Sequence, residues 1–88
     1  MYQVEFHPRA VKDFEDLDEL VADRVLRKLR WLAENFDSIR PEPLAGVFSG
    51  LFKLRVGDYR VIYQADQEKK LLTVRLVGNR REIYDQPA

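Results

Sequence analysis

Residues 51–64, Leu51 to Gln64, leave this chain few ways to fold. Two runs of alternating apolar and polar residues flank Gly57-Asp58, and glycine at the first of two loop positions suits a type II′ hairpin turn. A two-residue turn sets the register, so Val56 faces Tyr59, Arg55 faces Arg60, Leu54 faces Val61 and Lys53 faces Ile62. Alternation then puts Phe52, Leu54, Val56, Tyr59, Val61 and Tyr63 on one face and Lys53, Arg55, Arg60, Ile62 and Gln64 on the other. Arg55 opposite Arg60, with Lys53 one step along, is costly, because like charges paired across strands destabilise a sheet. Such a face either splays its side chains into water or offers them to an anion.

The flanking segments read as one α+β domain. Tyr2, Val4 and Phe6 alternate with Gln3 and Glu5 as a short half-buried strand. His7-Pro8 ends it, and Pro8 suits the first turn of a helix over about residues 9–17, with Ala10, Val11, Phe14 and Leu17 at helical spacing. His7 is expected to serve this strand-to-helix junction. Asp16 and Asp18 offer N-cap oxygens to a second helix over about 19–36, whose apolar stripe is Val21, Val25, Leu29, Leu32 and Phe36, with Trp31 at its edge. Asp23, Arg24, Arg27, Lys28 and Arg30 fall on its other faces, as a solvated surface or a partner contact.

Residues 35–50 are interrupted by Asp37, Ser38, Pro41, Pro43, Gly46 and Gly50, and read as a loop without a chemical motif. A third strand over about 71–77 turns Leu72, Val74 and Leu76 to the core, which places Arg75 on the face of Arg55 and Arg60. Residues 78–84 read as a short strand or an extended arm, with Arg80, Glu82 and Tyr84 pointing one way and Arg80 roughly 13 Å from Tyr84. The expected order is β-α-α-β-β-β, an antiparallel sheet packed under a two-helix hairpin in a single domain over residues 1–88.

Net charge is zero, yet it is unevenly spread: residues 1–49 hold seven Lys/Arg against ten Asp/Glu, and residues 50–84 hold eight against four. A basic sheet on an acidic helical half would focus an anion onto the sheet. Neutrality overall means that a nucleic acid must be gripped locally. No apolar run approaches the roughly 20 residues of a membrane span, and no signal peptide is read at the start, so a cytoplasmic protein without a membrane partner is expected. Without cysteine there is no thiol chemistry, and a lone histidine with no carboxylate cluster on the basic face gives no metal site and implies no cofactor. Gly-rich phosphate loops, paired catalytic carboxylates and a Ser–His pair are also missing. Lys, Arg and Tyr remain, a set suited to phosphodiester chemistry by electrostatic stabilisation, since RNA carries its own 2′-hydroxyl nucleophile. RNA cleavage is chemically open on this basis, though His or Glu for ordinary acid–base catalysis is not evident.

The run Leu54 to Tyr63, followed by Val77-Gly78-Asn79-Arg80-Arg81-Glu82-Ile83-Tyr84, resembles the RelE/ParE superfamily of type II toxin–antitoxin toxins, with the RelE branch nearer. The opening strand before Ala10 and Leu44-Ala45-Gly46 fit the same pattern. The resemblance covers nearly the whole chain and implies a RelE-like microbial RNase fold, metal-free cleavage of mRNA in the ribosomal A site, and silencing by a cognate antitoxin. It implies that Lys53 and Arg55 orient or activate the 2′-hydroxyl and hold phosphate, and that Arg60 stabilises the transition-state charge. Arg80 then serves the leaving group and Tyr84 orients the RNA. Arg75 and Arg81 are the expected further RNA contacts. Asn79 stands where many relatives carry His, and the neutral net charge departs from the basic character of RelE nucleases. Other readings of the same resemblance are a non-enzymatic ParE-like inhibitor of DNA gyrase and a toxin-fold protein without activity.

Overall fold

The computed structural model describes residues 1–85. A strand β1 (Gln3–Phe6) leads into helices α1 (Pro8–Glu15) and α2 (Glu19–Asn35). A two-residue strand β2 (Glu42–Pro43) precedes the long strands β3 (Phe52–Val56), β4 (Tyr59–Asp66) and β5 (Leu71–Asn79). Short 3-10 turns occupy Phe36–Ser38, Gly46–Phe48 and Ile83–Asp85. Helix starts follow the expected chemistry: the His7 ring nitrogen Nδ1 accepts from the Arg9 N–H at 3.1 Å, and Asp18 Oδ2 accepts from the Leu20 N–H at 3.2 Å. Each satisfies a donor that a helix N-terminus leaves without an internal partner.

The sheet order is β1-β5-β4-β3-β2. Hairpin β3–β4 has the expected register, with Arg55 paired to Arg60 and Val56 to Tyr59. Gly57 adopts φ +58°, which an L side chain rarely tolerates, at the turn. Two features depart from the expected sheet. Strand β1 pairs parallel with β5, Val4 against Leu72, because the long connection through both helices and the hairpin lets the first and last strands run the same way. A bulge between Ile62 and Tyr63 sets Tyr63 against Val74 but Ile62 against Leu76, so Arg75 is an extra residue on β5. Leu76 therefore leaves the face of Leu72 and Val74, and Val77 takes its place in the helix-side core.

Helix-side packing joins Val25, Leu29, Leu32 and Phe36 of the α2 stripe and its extension to Leu54, Val61, Tyr63 and Val74 of the sheet. Tyr63 sits at its centre, 1% exposed, between Phe36 at 6.3 Å and Phe52 at 5.7 Å between ring centroids. Burial first, and then the Glu42 carboxylate, push its hydroxyl up to about 12. An unfolded tyrosine ionises near ~10, so this contribution is complete below that pH and is lost as pH rises through the folded value. Wild type should lose about 2 kcal/mol between pH 8 and 11.5 that Tyr63→Phe does not lose. Denaturant unfolding of both proteins at the two pH values measures the difference, and equal losses would contradict it.

Candidate active site

The face turned away from the helices is not purely polar. Ile62 and Leu76 lie side by side at its centre, and Phe48 and Ile83 bury them further, with Leu44 and Leu51 at the margin. Residues 35–50, expected as a featureless loop, thus supply part of a second small core. Its sequence signal is Ile62, the lone apolar residue on the charged side of the hairpin.

Around this apolar platform the structure places the expected cations in rows. Lys53 adjoins Ile62, and Arg55 adjoins Arg60, which in turn faces Gly78 on β5. Gly78 leaves a gap that Ile83 fills: a Cβ there would stand 3.1 Å from Ile83 Cδ1. Arg60 donates through Nη1 to the Gly57 and Tyr59 carbonyls, both at 2.8 Å, so its guanidinium is fixed on its own turn. Lys53 Nζ and Arg55 Nη2 lie 3.7 and 3.3 Å from the same oxygen, Glu42 Oε2. Glu42, carried by β2, sets a carboxylate beside these two cations, and no spacing in the sequence points to it. Arg75 reaches Gln64 Oε1 at 2.8 Å on the same face, as its place beside the bulge dictates.

The tail is neither a strand nor an extended arm beyond Asn79. The Arg81 N–H donates to Asn79 Oδ1 at 2.9 Å and the Glu82 N–H to the Asn79 carbonyl at 3.0 Å, so Asn79 turns the chain back on itself. The Arg80 N–H meets the Asp58 carbonyl at 2.8 Å and its Nε lies 3.8 Å from Asp58 Oδ1, which ties the tail to the hairpin turn. Ile83 is then driven into the platform, 1% exposed, and Tyr84 stands edge-on to Phe48 at 5.9 Å with 41% of its surface in solvent. Turn and 3-10 geometry replace the single-sided spacing of Arg80, Glu82 and Tyr84, while still delivering Tyr84 to the rim of the basic face. Arg81 lies within this turn, its side chain exposed. Among the described residues, no three His, Cys, Asp or Glu side chains converge as a metal site would need, and no helix is long and apolar enough to cross a membrane.

The two helices on a five-stranded sheet match the fold of RelE toxin structures, and the comparisons with known proteins put the chain among toxins of the RelE/ParE superfamily of type II toxin–antitoxin systems. The family model for the ParE toxin of the type II toxin–antitoxin system parDE matches residues 4–84, and the chain belongs to this family. A RelE-like toxin protein of Escherichia coli is 31% identical over 87 residues, which cover 96% of this chain and 90% of that protein. Among solved structures, the RelBE2 toxin–antitoxin complex of Mycobacterium tuberculosis superposes with a TM-score of 0.79 at 25% identity, covering 89% of this chain and 90% of that one. The isolated E. coli RelE toxin gives 0.75 at 28% identity over 90% of this chain and 84% of that one.

Proposed function

We propose that the chain is a RelE-type endoribonuclease that cuts mRNA on the ribosome by 2′-hydroxyl attack, without a metal, and is restrained by a cognate antitoxin. The observation that carries this reading is the pairing of Arg55 with Arg60 beside Lys53, on a face where Arg80 and Tyr84 are anchored at the rim. In the reaction the 2′-oxygen bonds to the adjacent phosphorus and the bond to the 5′-oxygen breaks. Products are a 2′,3′-cyclic phosphate and a 5′-hydroxyl; one proton leaves the nucleophile and one reaches the leaving oxygen. Charge builds on the non-bridging oxygens as the phosphorane forms, and preorganised guanidinium donors stabilise it. Arg60, fixed by two carbonyls, is suited to that task. Lys53 and Arg55 hold phosphate and the 2′-hydroxyl, exchanging Glu42 for the substrate. Arg80 serves the leaving group, and Tyr84 stacks on an unpaired base, as aromatics do with single-stranded RNA. Arg75 and Arg81 add contacts to the strand, Arg75 from the bulge and Arg81 from the Asn79 turn.

The match to the parDE family model favours one competing reading, a toxin that inhibits DNA gyrase by binding. Induced expression without antitoxin, followed by primer extension on a translated message, separates the two. The expected result is growth arrest with cuts inside codons that vanish when translation is blocked. Arrest with intact mRNA would sink the nuclease reading in favour of gyrase, and absence of arrest would favour an inactive toxin fold.

A further inference from the structure

The charged side of α2 faces the half of β3 that β2 leaves uncovered, since β2 pairs only with Phe52 and Lys53. An open groove runs between them. Its wider end, about 500 Å³, is lined by Arg24, Arg27, Lys28, Trp31, Arg55 and Gly57. A narrower end, about 260 Å³, shares Lys28, Trp31 and Arg55 and continues to Arg40, Glu42 and Lys53. Along this path the six cations Arg24, Arg27, Lys28, Arg40, Lys53 and Arg55 meet one carboxylate, Glu42. In a chain of net charge zero that is a strong local excess. Among the described residues, the groove's ion pairs are those of Glu42 with Lys53 and Arg55.

This arrangement is costly to the free protein. Arg24 lies three and four residues from Arg27 and Lys28, so like charges are neighbours on one helix face and repel. A polyanion in the groove would remove that cost. Lys28 Nζ stands 4.1 Å from the Trp31 ring centroid, and Trp31 is 40% exposed, an aromatic surface among guanidinium forks. Leu54 and Val56 form its floor and are buried, so the groups that project into the groove from α2 are the cations and the Trp31 ring. Gly57 joins this groove to the catalytic face. A Cβ there would fall 2.7 Å from Arg24 Nη2, and its carbonyl accepts from Arg60.

We propose that this groove binds a single-stranded nucleic-acid segment by its phosphodiester backbone, with a base stacked on Trp31, and so extends the protein's grip beyond the strand being cut. The proposal rests on the nuclease reading only for the strand's identity as RNA. It also explains how a neutral chain holds a polyanion, because the charge that grips it is local.

The test is fluorescence anisotropy with a 12-nucleotide 2′-O-methyl RNA, which cannot be cleaved, across a range of salt concentrations. Arg27→Glu/Lys28→Glu should weaken binding tenfold or more at low salt and flatten the salt dependence by roughly 0.7 in log–log slope for each phosphate no longer neutralised. Trp31→Ala should weaken it about tenfold, the loss expected of a stacked base. Arg27→Gln/Lys28→Gln repeats the measurement with a milder change should charge reversal unfold the chain. A 2′-deoxy strand distinguishes the sources: equal binding supports a backbone grip that DNA also satisfies, and tighter RNA binding supports RNA. Unchanged affinity and slope in folded groove variants would overturn the proposal, as would groove-dependent binding of a glutamate-rich peptide with none of either strand. Failure of the nuclease reading looks different: wild type cleaves no message, while binding still depends on the groove.

Discussion

Arg60→Ala is expected to lower mRNA cleavage by about a hundredfold or more while leaving the fold intact. Removing one preorganised donor from a developing oxyanion commonly costs ~10²–10³ in rate. Two carbonyls at 2.8 Å already hold this guanidinium, so little ordering remains to be done when substrate arrives. Stability should change little, because Arg60 faces Arg55 across the strands and its removal relieves a like-charge pair. Arg60→Lys keeps the charge but not the planar fork, and should fall between wild type and alanine. Primer-extension rates on a translated message, with thermal unfolding as the control, measure both effects. Cleavage at the wild-type rate by folded Arg60→Ala would remove Arg60 from the chemistry. Growth arrest unaffected by the substitution, with no cleavage by either protein, would point to gyrase instead.

How much of the site is legible in the sequence depends on how far apart along the chain its determining partners lie. Hairpin register is legible because a two-residue turn at Gly57-Asp58 permits one pairing, and the structure has it. His7 is legible because a residue before Pro8 at a helix start has few other uses, and its ring caps Arg9. The bulge is not: Leu72, Val74 and Leu76 alternate cleanly, and only the partner strand makes Arg75 supernumerary. Glu42 is hidden because it lies 11 and 13 residues from Lys53 and Arg55, and only a two-residue strand brings it to them. In the tail, Asn79 reads from the sequence only as a departure from the resembled family's pattern, whereas its side chain makes the turn. The cations of α2 are visible as a cluster, but a groove needs a second wall, and β3 is far away in sequence.

The Asn79 turn matters because it makes Tyr84 depend on Ile83, and Ile83→Ala should expose the dependence. Ile83 is 1% exposed among Phe48, Ile62 and Leu76, close-packed against Gly78. Truncating a buried isoleucine costs ~2–5 kcal/mol, through the apolar burial removed and the cavity left behind. Because the residue lies in a small cluster near the end of the described chain, the destabilisation should appear first as release of the tail from the platform. Trypsin cleavage at Arg80 and Arg81 should then accelerate at least tenfold, before any global unfolding. With its footing gone, Tyr84 no longer stands on Phe48, so cleavage of message should fall towards the level of Tyr84→Ala although Tyr84 itself is unchanged. Ile83→Val, which removes one methyl group at a cost of ~0.5–1.5 kcal/mol, should restore most of the activity. Combining Ile83→Ala with Tyr84→Ala should lower the rate little further, because both changes remove the same hold on RNA. Additive losses in the double variant would mean that the apolar platform and the tyrosine act independently, and that Ile83 serves stability alone.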